Sequence, residues 1–248
     1  MDLVLTTAAE RPDLAPLTAG FPGGWPEFMY YDLTGGLYYD LTKTLYAEHV
    51  IIAYDPARPD RAAAKAYTVP FHAEDGEELP DDGWDEVIRR SALDRITGRA
   101  PNRVSALEVC IQTDLRGSGL AKVMLGAMRD NARKLGFDTL LAPVRPSGKD
   151  AFPDVPMSDY AFRTRDDGLP VDPWLRVHVR AGGRIARVAP KSMTIPGTLA
   201  EWRAWTGLPF DTDGPVTVPG ALAPVLCDTT HDHAVYIEPN VWVEHPLG

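Results

Sequence analysis

The strongest constraint on this chain is a strand, a glycine-rich turn, a helix and a second strand set down without interruption between residues 104 and 144. The first strand is predicted over 104–111. Leu107, Val109 and Ile111 fall on one face and Glu108 and Cys110 on the other, as a period of two requires. The turn reads Gln112-Thr113-Asp114-Leu115-Arg116-Gly117-Ser118-Gly119-Leu120-Ala121. A helix is predicted from about 119 to 135, with Leu120, Met124, Ala127, Met128 and Leu135 as its apolar stripe. Arg129, Arg133 and Lys134 suit the negative end of its dipole, and Gly136 suits a left-handed cap. A second strand follows over 139–144. A strand, a crossover helix and a strand place the two strands parallel or nearly so.

Gly117 and Gly119 let the backbone approach a bound group closely. A helix beginning just after them presents unpaired N–H groups and a partial positive charge. With Arg116 on the rim, the turn is an anion site suited to a pyrophosphate. A tight turn that binds nothing is the alternative. A dinucleotide-binding turn is excluded, because no third glycine stands at the required place and no acidic residue closes a second strand.

Arg116, Gly119 and Ala121 match a known signature: Arg or Gln, two residues, Gly, one residue, then Gly or Ala. Ile111 matches the apolar strand residue ahead of it. Upstream, strands over 49–55 and 63–71 read as an antiparallel hairpin about a Pro/Asp turn. A helix over 84–96 follows, opened by Asp81 or Asp82 and closed by Gly98. In motif and order of elements the chain resembles the GNAT superfamily of acyl-CoA-dependent N-acyltransferases over roughly residues 1–190. The resemblance implies an α/β fold. Its sheet is mixed and mostly antiparallel, with a central strand pair splayed near Val109 and Val144 and helices on both sides. A C-terminal β-hairpin extension, residues 191–248, packs on this core, and residues 150–172 form an insertion. The cosubstrate implied is acetyl-CoA or another acyl-CoA, with no metal. Its pantetheine arm would pair along Cys110, Ile111 and Gln112. Its pyrophosphate would sit on Arg116, Gly117, Ser118, Gly119, Leu120 and Ala121, with Ser147 or Lys149 touching it beyond the second strand. The implied reaction is acyl transfer to an amine of a small-molecule acceptor. A silent acyl-CoA-binding module, O-acylation and decarboxylation stay open as alternatives.

Family members often carry a Tyr acid on the helix after the second splayed strand. The matching segment starts at Pro173 and stops at Gly182, and His178 stands in the Tyr position. A histidine can act as acid or base near neutral pH; a loop-bonded or packing histidine is the alternative. The second splayed strand lacks the Glu common in the family, and Pro143 within it implies a break in pairing. Glu108 is the candidate base, with a salt bridge at the sheet surface as the alternative reading. The insertion is read either as a cover for the acceptor or as a structural flap or homodimer contact.

Further on, a strand over 185–195, a helix over 198–205 capped by Thr198 and stopped by Gly207, and a hairpin about 229–233 are predicted. Residues 37–46 are read as helix and 11–27 as irregular or a short helix. Trp202 and Trp205 are core candidates. Cys227, His231, His233 and His245 lack a tight zinc spacing.

With 44% hydrophobic residues in 248, a full core forms without staples. A net charge of -10 disfavours nucleic acid and favours a cationic or neutral acceptor. No apolar run reaches the ~20 residues of a membrane span. Two cysteines and no basic, apolar leader point to the cytoplasm.

Overall fold

β-Branched and aromatic runs make the strands, and a register set by their apolar faces joins them into one sheet. The computed structural model describes residues 2–19, 21 and 24–248. Met1, Gly20, Pro22 and Gly23 lie outside the described residues, the last three within the stretch read as irregular. The strands are β1 (Val4–Thr7), β2 (Val50–Asp55), β3 (Arg58–Phe71), β4 (Arg103–Ile111) and β5 (Thr139–Val144), then β6 (Arg184–Gly197), β7 (Gly214–Val216), β8 (Val225–Asp228) and β9 (His233–Pro246). Their order is β1-β2-β3-β4-β5-β9-β8-β7, with β6 also paired to β9. Every described pairing is antiparallel except β4 with β5.

Helices cover both faces. α1 (Leu33–Leu45) and α2 (Gly83–Thr97) lie on one face, where Val87 and Ile88 pack with Ile52, Val69 and Trp242. α3 (Leu120–Lys134) lies on the other, where Leu120, Met124 and Met128 pack with Ile51, Ala64 and Val104. The predicted α3 stripe holds except at Leu135, which is at the C-cap and exposed. The short helices α4 (Met157–Tyr160), α5 (Pro173–Arg180) and α6 (Leu199–Thr206) complete the set.

Several ends obey local rules. α2 stops at Gly98 in the left-handed region. α6 opens with a capping box between Thr198 and Glu201 and closes at Gly207. α1 forms where helix was predicted, but its stripe faces outward. Leu33, Leu37 and Leu41 are exposed, while Tyr39 reaches inward to β4.

Two departures from the sequence reading matter for the site. First, Tyr67 pairs with Glu108 but Thr68 with Ala106, so Leu107 is an extra residue on β4. Leu107 therefore packs with Cys110 in the cluster under α2, not with Val109 and Ile111 under α3. Second, the hairpin about 229–233 forms from β8 and β9, but β9 continues to Pro246. There it bonds β5 along one edge, Thr139 to Val144, and β6 along the other. Residues beyond 190 thus supply an interior strand, and the 190/191 boundary falls inside β6.

Candidate active site

The parallel strands β4 and β5 meet only at Val104–Leu140 and Ser105–Leu141, then diverge. Pro143 has no N–H to give, and past Leu141 β5 keeps its pairing to β9 on the opposite edge, with Pro143 opposite Trp242. The V-shaped gap opens toward the 112–121 turn and is continuous with a cleft of about 1130 Å³. The cleft runs from Arg116 and Ala121 at one end, past Glu108 and His178, to Trp25, Asp32 and Glu238 at the other.

At the first end, Gly117 and Gly119 have φ of 81° and 86°, a region costly to any residue with a Cβ. A Cβ added at either would meet nothing within 4 Å, so the conformation, not crowding, demands glycine. Ser118 steadies the turn by donating to the Leu115 carbonyl at 2.6 Å. Leu120, first residue of α3, sends its side chain into the core, while Arg116 and Ala121 line the cleft. This arrangement fits a pyrophosphate.

Along the gap, the Gln112 N–H donates to Ala63 O and its side-chain amide to Ala62 O. With Ala64 opposite Ile111, alternation commits the backbones of Gln112 and Cys110 to β3. Ile111 and Val109 turn theirs to the open edge. Of the three residues expected to pair with a pantetheine arm, Ile111 is so placed; Cys110 and Gln112 are not, and Val109, two residues before Ile111, shares its open edge. Ser147 is exposed and lines the cleft. Lys149 is the clear correction. It is fully buried and donates to the carbonyls of Phe152, Pro153 and Leu222, so it fastens the insertion and touches no cofactor.

Glu108 stands at the middle of the cleft, just past the bulge. Its Oε1 is 2.6 Å from Lys65 Nζ, and its Oε2 accepts from the Tyr39 hydroxyl at 2.5 Å. Burial and then the Glu108 charge hold the Tyr39 phenol far above its ordinary value, so it stays protonated and donates. Burial and Glu108 likewise push the Cys110 thiol up, which removes it as a nucleophile. The surface salt bridge considered for Glu108 is thus a buried one, and it opens on the cleft.

His178 also lines the cleft, in the last turn of α5. Its Nδ1 lies 2.9 Å from His245 Nε2, and its Nε2 has no partner among the described residues. Gly183 makes room for the pair, since a Cβ there would come within 2.6 Å of His245. Burial, then His245, pushes His178 down to about 3. The ring is neutral near pH 7. It can offer or accept a hydrogen bond but is not a charged acid, contrary to the switch near neutrality that its residue type suggested.

The far wall was not foreseen. Trp84, at the start of α2, donates its indole N–H to the bulged Leu107 O at 3.0 Å. Arg145, next to β5, donates to Glu238 Oε2 at 2.9 Å, and Glu238 also takes bonds from Tyr236 and Asn240. Asp32 caps α1 through its Oδ2 on the Gly35 N–H at 2.6 Å. Only the capping role of Asp32 had a sequence signal. From the 150–172 insertion, Asp150 alone is among the residues lining the cleft; Tyr160 and Asp172 bond each other at 3.0 Å beneath it. His231 pairs with Asp228 at 2.8 Å, and no group of three or more metal-binding side chains occurs among the described residues.

A glycine turn before a helix, leading to a splayed parallel pair within an otherwise antiparallel sheet, defines an α/β fold with an anion-suited turn at the mouth of an open strand pair. No family model matches the chain. Its sequence is 35% identical over 190 residues to an arginine N-acetyltransferase of Aspergillus versicolor, covering 68% of this chain and 66% of that relative, just under two thirds of its length. The loading GNATL domain of CurA from Lyngbya majuscula superposes with a TM-score of 0.62 at 16% identity, covering 100% of this chain and 98% of that one. The GphF GNAT-like decarboxylase in complex with isobutyryl-CoA gives 0.59 at 13% identity, covering 100% of both. The fold is that of the GNAT superfamily.

Proposed function

We propose that this protein transfers an acyl group, acetyl in the leading case, from acyl-CoA to an amine of a small-molecule acceptor, with arginine the first acceptor to test. The observation that carries the reading is the single cleft joining the glycine turn to Glu108 through the splay of β4 and β5. The arginine N-acetyltransferase relative supports the choice of acceptor.

Acyl-CoA, when bound, supplies an activated carbonyl. Gly117, Gly119 and the start of α3 would hold its pyrophosphate, and the free edges of Val109 and Ile111 its amide arm. Glu108 takes the proton that the amine nitrogen gives up, so that nitrogen has a lone pair to form the C–N bond. The C–S bond breaks, its electron pair goes to sulfur, and the second proton lost by nitrogen is matched by the one gained by the thiol. Lys65 and Tyr39 hold the Glu108 carboxylate in place. His178, neutral, can hydrogen-bond at the same level of the cleft.

Calorimetric titration with acetyl-CoA, followed by a thiol-release assay with arginine and other amines, tests the proposal. Saturable binding and amine-dependent thiol release are expected. Binding with no release for any amine would reduce the chain to a silent acyl-CoA-binding module; release of carbon dioxide from malonyl-CoA would move it to decarboxylation.

A further inference from the structure

The wall of the cleft beyond Glu108 has a charge balance of its own. Glu108 is matched by Lys65, and Glu238 by Arg145, each pair within hydrogen-bonding distance. Asp32 is not matched. It is 3% exposed, and Oδ2 is used on Gly35; Oδ1 has no partner among the described residues. Its charged neighbours have the wrong sign, since Glu238 and Asp85 both interact with it as like charges. A buried carboxylate in such surroundings is destabilised unless something positive or a proton meets it. Around it the cleft is aromatic. The Asp32 carboxylate and the Trp84 ring both border the Cβ position of Gly35, which lies 2.8 Å from Oδ2 and 3.5 Å from the ring. Trp25 lines the same end.

On the amine-acylation reading above, we propose that Asp32, flanked by Trp84 and Trp25, holds a permanent cationic group of the acceptor, a guanidinium in the best case, while a different nitrogen of the same acceptor is acylated at Glu108. A guanidinium is planar, weakly hydrated and stacks on aromatic rings, which suits this wall better than a compact ammonium does. The group held here is not the nucleophile, because a cation has no lone pair to give. The spacing is compatible. Asp32 caps α1 and Tyr39, seven residues on, reaches Glu108, a separation of roughly 10 Å along the helix. An acceptor with an amine at one end of an aliphatic chain and a guanidinium at the other spans the two stations. Asp32 is thus a specificity and positioning residue.

The test is binding to the full chain saturated with free CoA, so that turnover is not required. L-Arginine and L-citrulline have nearly the same shape and the same α-amine, but only arginine carries the charge. Calorimetric titration should show arginine binding about ten-fold or more tightly than citrulline. Asn is as good a helix cap as Asp, so Asp32→Asn removes the charge and keeps the cap. It should erase the preference while leaving the protein folded and acetyl-CoA affinity unchanged. Should it fail to fold, Asp32→Ser, another capping residue, replaces it. Equal affinities in the wild type, no saturable binding of arginine, or a preference that survives in the variant would overturn the proposal. The last result would mean that another group selects for the charge. Failure of acetyl-CoA itself to bind would sink the acyl-transfer reading, and is read separately.

Discussion

Glu108 shows how one extra residue places chemistry. Without the bulge at Leu107, strict alternation would tie its side-chain face to a different set of neighbours. With it, Glu108 meets Lys65 from β3 and Tyr39 from α1 inside the cleft. Glu108→Gln should lower kcat roughly 10²–10⁴-fold with acetyl-CoA affinity unchanged, as expected of a general base. Steady-state kinetics beside calorimetry checks this, and an unaltered kcat would move the base elsewhere. At the other end, Gly119→Glu places a side chain in a left-handed position and a negative charge where a pyrophosphate would bind. Saturable acetyl-CoA binding should disappear while the protein stays folded. Undiminished affinity in a folded variant would show that the turn is not the phosphate site.

At the scale of elements, Asp172 joins the insertion to α5. Its Oδ1 accepts from the N–H groups of Trp174 and Leu175, and its Oδ2 from Gly148 N and the Tyr160 hydroxyl. Four donors converge on one buried carboxylate, which orders the 150–172 segment and sets the start of the helix that carries His178. Asp172→Ala loses a cap, typically about 1 kcal/mol, and orphans the buried Tyr160 hydroxyl at about 1–3 kcal/mol more. Urea unfolding should show a lower midpoint with an unchanged slope. The exposed box at α6 is worth less: Thr198→Ala should cost about 1 kcal/mol, and the difference between the two variants measures what burial adds. The stop of α2 and both ends of α6 were legible because each depends on groups within about four residues. The insertion's anchorage was not, since Lys149 reaches Leu222, seventy-three residues away.

For the whole molecule, buried titratable groups set the pH range of stability. Burial pushes His49 down to about 4, and His178 and His245 to about 3 and about 4, against about 6.5 in an unfolded chain. Between pH ~6.5 and ~4 the unfolded form takes up protons at all three, and the native form does not. Asp85 runs the other way. Burial, then the Asp32 charge, raises it to about 8, so across pH ~4–8 the native form holds a proton that the unfolded form has lost. Three outweigh one, so stability falls as pH drops from ~6.5. From ~6.5 to ~8 the Asp85 effect operates, and stability falls as pH rises. The thermal midpoint should therefore peak near pH ~6.5. A midpoint climbing steadily to pH 8 in a calorimetric scan would contradict the buried state of Asp85.

The sequence by itself determined the glycine turn, α3, the strand over 139–144, the break at Pro143, the cap at Thr198 and the stops at Gly98 and Gly207. Each rests on neighbours a few residues apart and on backbone rules that no distant contact overrides. Tertiary structure alone decided that Glu108, Lys65 and Tyr39 meet, that Asp32 stands beside Trp84 without a counter-charge, and that β9 enters the sheet next to β5. The physical reason is register. A strand shifted by one residue exchanges its faces, and neither the bulge that shifts β4 nor the choice of β9 as partner for β5 is written in the local residues.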